Sequence, residues 1–484
     1  SGDGISPATV LELLAGLVDQ SLVVPQPHPR QVRYAIPQAL REYAAERLPE
    51  VTDRAVLRQR HLDCYLRIAD QMSGEWFGER QAEWSQRLRD ERLNLTAALE
   101  HALAEGEVES CLALLHALSI TSFTSGSFAE GRRCLDMLLA SETDPTAART
   151  QALWLKALID GYAGDISAAR GASHECKVLA EQLGDDRMLS NAIEHLGVTS
   201  LLSEGPRSAT DHFEESLALA RRTDDSAPVA VKLVRWGQCR LLLGETAQAQ
   251  RLLEEAESIC RDHGENWFRG YALWSLAIVS SRAGDTGRAM EHVRSSLRLS
   301  QRVGNALGIS QALEVLASIL ASGSSSERAA ELLGAGAELR DKVGGSVVPL
   351  LAPLNEATRH KLIRVLGDRR FAAAHARGRS RSVADAVAIA LAEREQAVPE
   401  QAVPETRGNG QSLTKREREV AGLIAEGLSN KEIASTLVIA RRTVEGHIEN
   451  VMTKFGYHSR AQIAARVAAE HGYSGTGPGE IPGS

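Results

Sequence analysis

The sequence predicts an all-α chain: a helical-repeat solenoid, preceded by a small module carrying a β-hairpin and followed by a bundle of four short helices. Three observations point there. Apolar residues make up 43% of the 484 positions but aromatic residues only 4%, leaving Ala and Leu to carry most of the apolar surface. Cores of that composition favour close helix packing, because Ala has the best helix propensity and strands draw more on β-branched and aromatic residues. A period of 40 residues runs through the middle of the chain, and near the C-terminus four helix-periodic segments are divided by very short turns.

Length and charge bound the function. At roughly 150 residues per domain the chain should hold about three domains, which argues against a single compact enzyme. A net charge of −8 excludes coating of nucleic acid along the whole length but leaves room for one basic module. No run approaches the ~18–20 apolar residues of a membrane span, so no membrane is expected and a cytoplasmic protein is. Six scattered cysteines without a C-x-x-C pair suggest buried free thiols rather than a zinc site or a disulfide framework. The opening Ser1-Gly2-Asp3-Gly4, with no Met, suggests a fragment.

Residues 1–50 mix two periods. Pro7 to Val18 has helical spacing, Ser21–Val24 and Gln31–Ile36 read as short strands around a Pro- and His-rich turn, and Pro37 opens a helix running to Leu48. The segments "LLAGLVDQSLVV" and "YAIPQALREYAAERL" resemble the winged-helix module that follows the nucleotide-binding domain in large bacterial signal-transduction ATPases. The resemblance implies packing against an ATPase rather than DNA reading.

Residues 51–145 are helical throughout and end in a degenerate first repeat. The regular repeats follow over 146–346. Aligning "GETAQAQ" at Gly244 with "GDTGRAM" at Gly284 defines three columns. Ala169, Ala209, Ala249, Ala289 and Ala329 form the first. Leu153, Ile193, Leu233, Leu273 and Leu313 form a large apolar column, and Ala157, Gly197, Gly237, Ala277 and Ala317 a small one. A small residue lets one helix approach its neighbour and a large one fills the gap, as a stack of helix pairs requires. The spacing is similar to the tetratricopeptide pattern, whose unit is about 34 residues, so the extra residues should lengthen the helices or the turn. Residues 347–396 supply capping helices. Ala397–Ser412, "AVPEQAVPETRGNGQS", duplicates a five-residue unit and reads as a flexible linker.

Residues 413–470 carry the chemistry, before a disordered tail at 471–484. Thr414-x-x-Glu417, Ser429-x-x-Glu432 and Ser459-x-x-Gln462 are capping boxes at three successive helix starts. The second helix, Asn430–Leu437, is joined to the third, Arg441–Lys454, through Val438-Ile439-Ala440, a connection tight enough to seat a recognition helix in the major groove. This segment holds nine Lys and Arg against seven Asp and Glu, while the rest of the chain holds 46 against 56. The balance is positive here although the chain as a whole is acidic, as phosphate contact requires.

"LTKRERE", "GLSNKEIA", "RTVEGHIENVMTKFG" and "SRAQIA" closely resemble the LuxR-type DNA-binding domain over some sixty residues. The resemblance and the helical spacing place Val420, Leu423, Ile424, Ile433, Ala434, Leu437, Ile439, Val444, Ile448, Val451 and Ile463 in the core. Phosphate-contact candidates are Lys431, Arg441, Arg442, Lys454 and Arg460, with Asn430 and Thr443 as shorter polar contacts at helix starts. His447 either contacts the backbone or is solvated. Glu445, Gly446, Glu449 and Asn450 occupy places where that family reads base edges. Two departures weaken one copy's grip. Ala440 replaces a common capping Ser, and Glu445 and Glu449 are acidic residues that can accept from cytosine amino groups but repel phosphate when misplaced. A homodimer on double-stranded DNA, paired through the helix Arg460–Glu470, is the implied remedy.

Together these modules resemble the C-terminal portion of actinobacterial ATPase–repeat–LuxR regulators. No phosphate loop, H-E-x-x-H zinc motif or G-x-S-x-G elbow is present in the sequence, and the isolated Cys260-x-x-His263 pair reads as packing plus a surface histidine. No enzyme activity, catalytic residue, cofactor or metal is expected here; an ATPase domain would lie upstream. The expected function is a sequence-specific transcriptional regulator whose repeats sense a protein or small-ligand partner in their groove. The alternative is a repeat scaffold for protein interaction in which DNA binding is secondary.

Overall fold

The computed structural model describes residues 7–26, 32–51, 53–125, 129–141, 143–223, 225–344, 348–391, 415–425, 428–437, 444, 447, 448 and 450–452. The chain divides into two compact units, Ser1–Ala397 and Val398–Ser484.

The first unit opens with helix α1 (Pro7–Asp19), an antiparallel hairpin of β1 (Val24–Gln26) and β2 (Arg33–Ala35), and α2 (Gln38–Val51). The helix–hairpin–helix order follows the sequence, but the first strand begins at Val24 rather than covering Ser21–Val24. Ser21 adopts a left-handed φ of 58°, and the Leu22 and Val23 amides turn back onto the Leu17 carbonyl, so the segment is spent closing α1. Helices α3 (Arg54–Glu75), α4 (Gln81–Glu105), α5 (Val108–Ser125) and α6 (Ala129–Ser141) then bury Leu62, Met72, Trp84, Leu88, Leu95, Leu112 and Leu115 in one core.

Five helix pairs follow: α7/α8 (Ala147–Tyr162, Ile166–Leu183), α9/α10 (Asp186–Ser203, Thr210–Ala220), α11/α12 (Ser226–Leu242, Thr246–His263), α13/α14 (Trp267–Arg282, Thr286–Val303) and α15/α16 (Ala306–Leu320, Ser326–Lys342). They form a tetratricopeptide-like solenoid whose additional length lies in the helices: α8, α12 and α14 each run 18 residues. All three sequence columns are buried. At Gly237 even a methyl group would stand 2.7 Å from Leu253 Cγ, which is why the small column must stay small.

Within each pair the helices cross through a further set of small residues 26 positions apart. Cys176 Sγ donates to the Thr150 carbonyl, Ser190 and Ser216 exchange hydroxyl-to-carbonyl bonds at 2.8 Å, Ser296 donates to Gly270 and Ser310 to Gly336. A hydroxyl there fills the crossing and satisfies itself on the facing helix. Gly184, Gly264, Gly304 and Gly344, spaced on multiples of the repeat, hold φ between 62° and 73° after α8, α12, α14 and α16. Asp185, Asp225 and Asn305 cap the helices that begin there.

Helices α17 (Leu351–Leu366), α18 (Asp368–Ser380) and α19 (Val383–Leu391) close the end, with α18 laid against α16 through Gly334 and Gly378. Of the six cysteines, all free, Cys64 is exposed rather than buried. Among the described residues no helix is long and apolar enough to cross a membrane, and no group of three metal-ligating side chains occurs.

Candidate nucleic-acid interface

The second unit is built on α20 (Lys415–Ala425) and α21 (Asn430–Thr436), with further helical residues at Val444, His447, Ile448, Asn450, Val451 and Met452. Val420, Ala421, Ile424, Ile433, Val444, Ile448 and Val451 are buried together, and Leu423, Leu428, Ala434, Leu437 and Met452 pack against them. Ala421, Leu428 and Met452 are core residues the sequence reading omitted; Leu428 is tied in by its amide bonding the Leu423 carbonyl at 3.1 Å as α20 ends. Ile439 and Ile463 lie outside the described residues.

The turn into α21 is fixed by a reciprocal capping box. The Ser429 amide and hydroxyl each donate to Glu432 Oε2 at 2.7 Å, and the Glu432 amide donates to Ser429 Oγ at 3.4 Å. The hydrogen bonds from the Ser429 side chain and backbone hold the Glu432 carboxyl below its ordinary range. Thr436 donates to the Glu432 carbonyl at 2.9 Å. The boxes expected at Thr414 and Ser459 lie outside the described residues.

Val444, Ile448 and Val451, spaced four and three apart, turn one helical face inward. That spacing leaves Asn450 exposed and His447 half-buried. Asn430 opens α21, half-buried, and Lys431 follows it. Arg441, Arg442, Thr443, Glu445, Gly446, Glu449, Lys454 and Arg460 lie outside the described residues, as do the linker Ala397–Ser412 and the helix Arg460–Glu470.

Residues 411–467 match the family model for bacterial regulatory proteins of the luxR family. They are a LuxR-type helix-turn-helix domain, and the chain carries it as its C-terminal module. Over 55 residues, 11% of this chain and 74% of its relative, the chain is 52% identical to the spore germination protein GerE of Bacillus subtilis (strain 168). Over 331 residues it is 29% identical to Rv0890c of Mycobacterium tuberculosis (H37Rv), named as an HTH-type transcriptional regulator. That match covers 68% of this chain and 36% of the relative, so the chain spans about a third of the length of the curated mycobacterial proteins it resembles. Two solved helical structures align with TM-scores below 0.5: a Rap protein complexed with competence and sporulation factor (0.48, 13% identity, 79% of this chain and 99% of that one), and a signal-transduction ATPase with a tetratricopeptide-repeat sensor from Pyrococcus horikoshii (0.39, 14% identity, 75% and 58%).

Proposed function

We propose that the chain is a sequence-specific, DNA-binding transcriptional regulator rather than an enzyme, with its LuxR-type domain on duplex DNA and its solenoid coupling a partner or ligand to that binding. The observation that carries it is the capped turn into α21 together with the inward face Val444–Ile448–Val451, inside a segment matched to the luxR family. In this reading Glu445, Gly446, Glu449 and Asn450 face bases, while Asn430, Lys431, Arg441, Arg442, Thr443, His447, Lys454 and Arg460 hold phosphates. The exposure of Asn450 on the side opposite the core supports its place.

Pairing on two half-sites through Arg460–Glu470 compensates for the acidic recognition face. The composition of Ala397–Ser412 supports a tether that sets the effective concentration of the two domains. The resemblance of the N-terminal helix–hairpin–helix to the winged-helix module of signal-transduction ATPases supports a nucleotide-binding domain before it in the whole protein, and the proposed DNA-binding role supports a cytoplasmic location.

The test is fluorescence anisotropy of the full chain on a duplex selected from a random pool and on a scrambled duplex. Lys454→Ala should weaken both alike, whereas Asn450→Ala should cost ~1–3 kcal/mol on the selected duplex alone. Equal effects of the two changes on both duplexes contradict the assignment.

A further inference from the structure

One joint of the solenoid differs from the others. Along the face where each first helix meets the preceding one, positions 40 apart read Ala152, Ala192, Lys232, Ala272 and Ala312, and all five are buried. A lysine therefore stands in an alanine column, its side chain only 2% exposed. Burying an ammonium there is costly unless it is paired. Correspondingly, the backbones of α9 and α11 stand farther apart than those of the other consecutive first helices. The apolar core divides at the same place, with Ala192 in one cluster, Leu233 in another, and only a small group around Phe213 and Trp236 between them. On the other side of the joint a cavity of about 490 Å³ opens between α10, α11 and α12, floored by Leu217, Trp236 and Leu252.

The gap between α9 and α11 is filled with polar groups. Lys232 Nζ donates to Asn191 Oδ1 at 2.9 Å and to Glu194 Oε2 at 3.0 Å. Arg235 Nε lies 3.8 Å from Glu194 Oε1, and Arg235 Nη2 donates to the Tyr162 hydroxyl at 2.9 Å, reaching from α11 past α9 to the end of α7. His195, half-buried among these charges, makes no hydrogen bond to any of the described residues. The charges that act on this set are the Lys232 and Arg235 cations and the single Glu194 carboxylate, beside the neutral His195, Tyr162 and Tyr271. One positive charge is left over. Among the described residues Arg235 Nη1, the Asn191 amide nitrogen and the His195 ring find no hydrogen-bond partner, and the Arg235 side chain is 24% exposed.

We infer that the α9–α11 joint is a binding site for a single carboxylate, borne by a small acid or a peptide end, held by Arg235 with His195 and Asn191. One surplus charge matches one carboxylate; a phosphate dianion would overcompensate it. The planar guanidinium already anchored on Tyr162 offers its remaining edge as a preorganised donor pair. Burial keeps His195 neutral, so its ring adds a directional donor without a second charge. The inference rests on the reading of the solenoid as a sensor and names the chemistry it senses.

The full chain, labelled at histidine side chains, is titrated with N-acetylalanine, its neutral amide and inorganic phosphate while the His195 ring resonances are followed. N-acetylalanine should move them saturably and the amide should not. Arg235→Gln should weaken the response at least tenfold. Lys232→Ala, which restores the alanine of the neighbouring repeats and so keeps the fold, should also weaken it. A response to the amide equal to that of the acid, tighter binding of phosphate, no response to the acid, or an unchanged response in Arg235→Gln would each overturn the inference. DNA binding by the C-terminal unit is unaffected by any of these results, so the two readings fail separately.

Discussion

Gln81, near the start of α4, bonds the carboxylate of Glu265, 184 positions along the chain and one turn before α13. Gln81 Nε2 donates to Glu265 Oε1 at 2.7 Å, and Gln81 Oε1 accepts from the Asn266 and Trp267 amides, each at 2.9 Å. Glu265 also accepts from the Phe268 and Arg269 amides, so the pair satisfies the N-terminus of α13 from outside its own repeat. Ser85, one turn on, donates to the Val303 carbonyl at 2.6 Å, and Trp76 lies 6.0 Å from Trp267. The start of α4 thus clasps two successive inter-repeat turns.

Gln81→Ala should therefore cost ~1–3 kcal/mol, because it leaves the buried Asn266 amide unpaired and strips one donor from the buried Glu265 carboxylate, which keeps the Trp267 and Phe268 amides. Urea unfolding gives the magnitude. Amide hydrogen exchange should accelerate at 266–269 and not in α8; uniform exchange across both would show that the clasp carries no local stability.

Two glycine substitutions should have opposite signs. A methyl on Gly171, in α8, meets nothing within 4 Å, and Gly171→Ala should stabilise by ~0.5–1 kcal/mol through helix propensity. A methyl on Gly378, in α18, would intrude on the Glu331 carbonyl of α16. Gly378→Ala should destabilise despite the same propensity gain, by ~1–3 kcal/mol as the two helices are forced apart. Thermal melts of both variants check the contrast.

Stability should depend on pH through His195. Burial lowers its pKa from the ordinary 6.5 to about 4, against the opposing charge of Glu194. As pH falls through 6.5 the unfolded chain takes up the proton first, so the contribution is full above pH 6.5 and is lost progressively down to about pH 4. The loss amounts to ~2–3 kcal/mol, less what water in the groove screens. His195→Asn should flatten that part of the profile in denaturant titrations at pH 4.5 and pH 7.

The capping box at α21 should stabilise the C-terminal unit. Ser429→Ala removes the hydroxyl that accepts from the Glu432 amide and donates to its carboxylate, and should lower the melting temperature of that unit without moving that of the solenoid. Calorimetry of the full chain resolves the two transitions.

Periodic features were legible from sequence because each residue answers to its own helix and the next one. The Ala169-to-Ala329 column, the small residues at Gly197 and Gly237, and the inward face at Val420, Ile424 and Ile433 all follow from local spacing. The Ser429–Glu432 box was readable for the same reason, since both partners lie within one turn. Pairings set by the closure of the solenoid were not. Nothing near Gln81 announces Glu265, although the acid or amide at Asp185, Asp225 and Asn305 marks Glu265 as a cap. The buried Asp160, held by Arg132 at 2.7 Å and Lys156 at 3.1 Å, joins α6 to α7 and likewise has no periodic signature. Lys232 did carry a signal, a lysine in a column of alanines, but only in a column the three chosen ones did not include. The first strand was misplaced because a left-handed residue at Ser21 is a tertiary choice that β-propensity does not reveal.

Sequence reading by the LuxR-type domain is decided by equilibrium binding of the full chain to a selected duplex across a salt series. The selected duplex should bind at least ~10³-fold tighter than a scrambled one, with log affinity falling linearly with log salt for both. Equal affinity for the two duplexes at every salt concentration, or no binding to either at low salt, would contradict it.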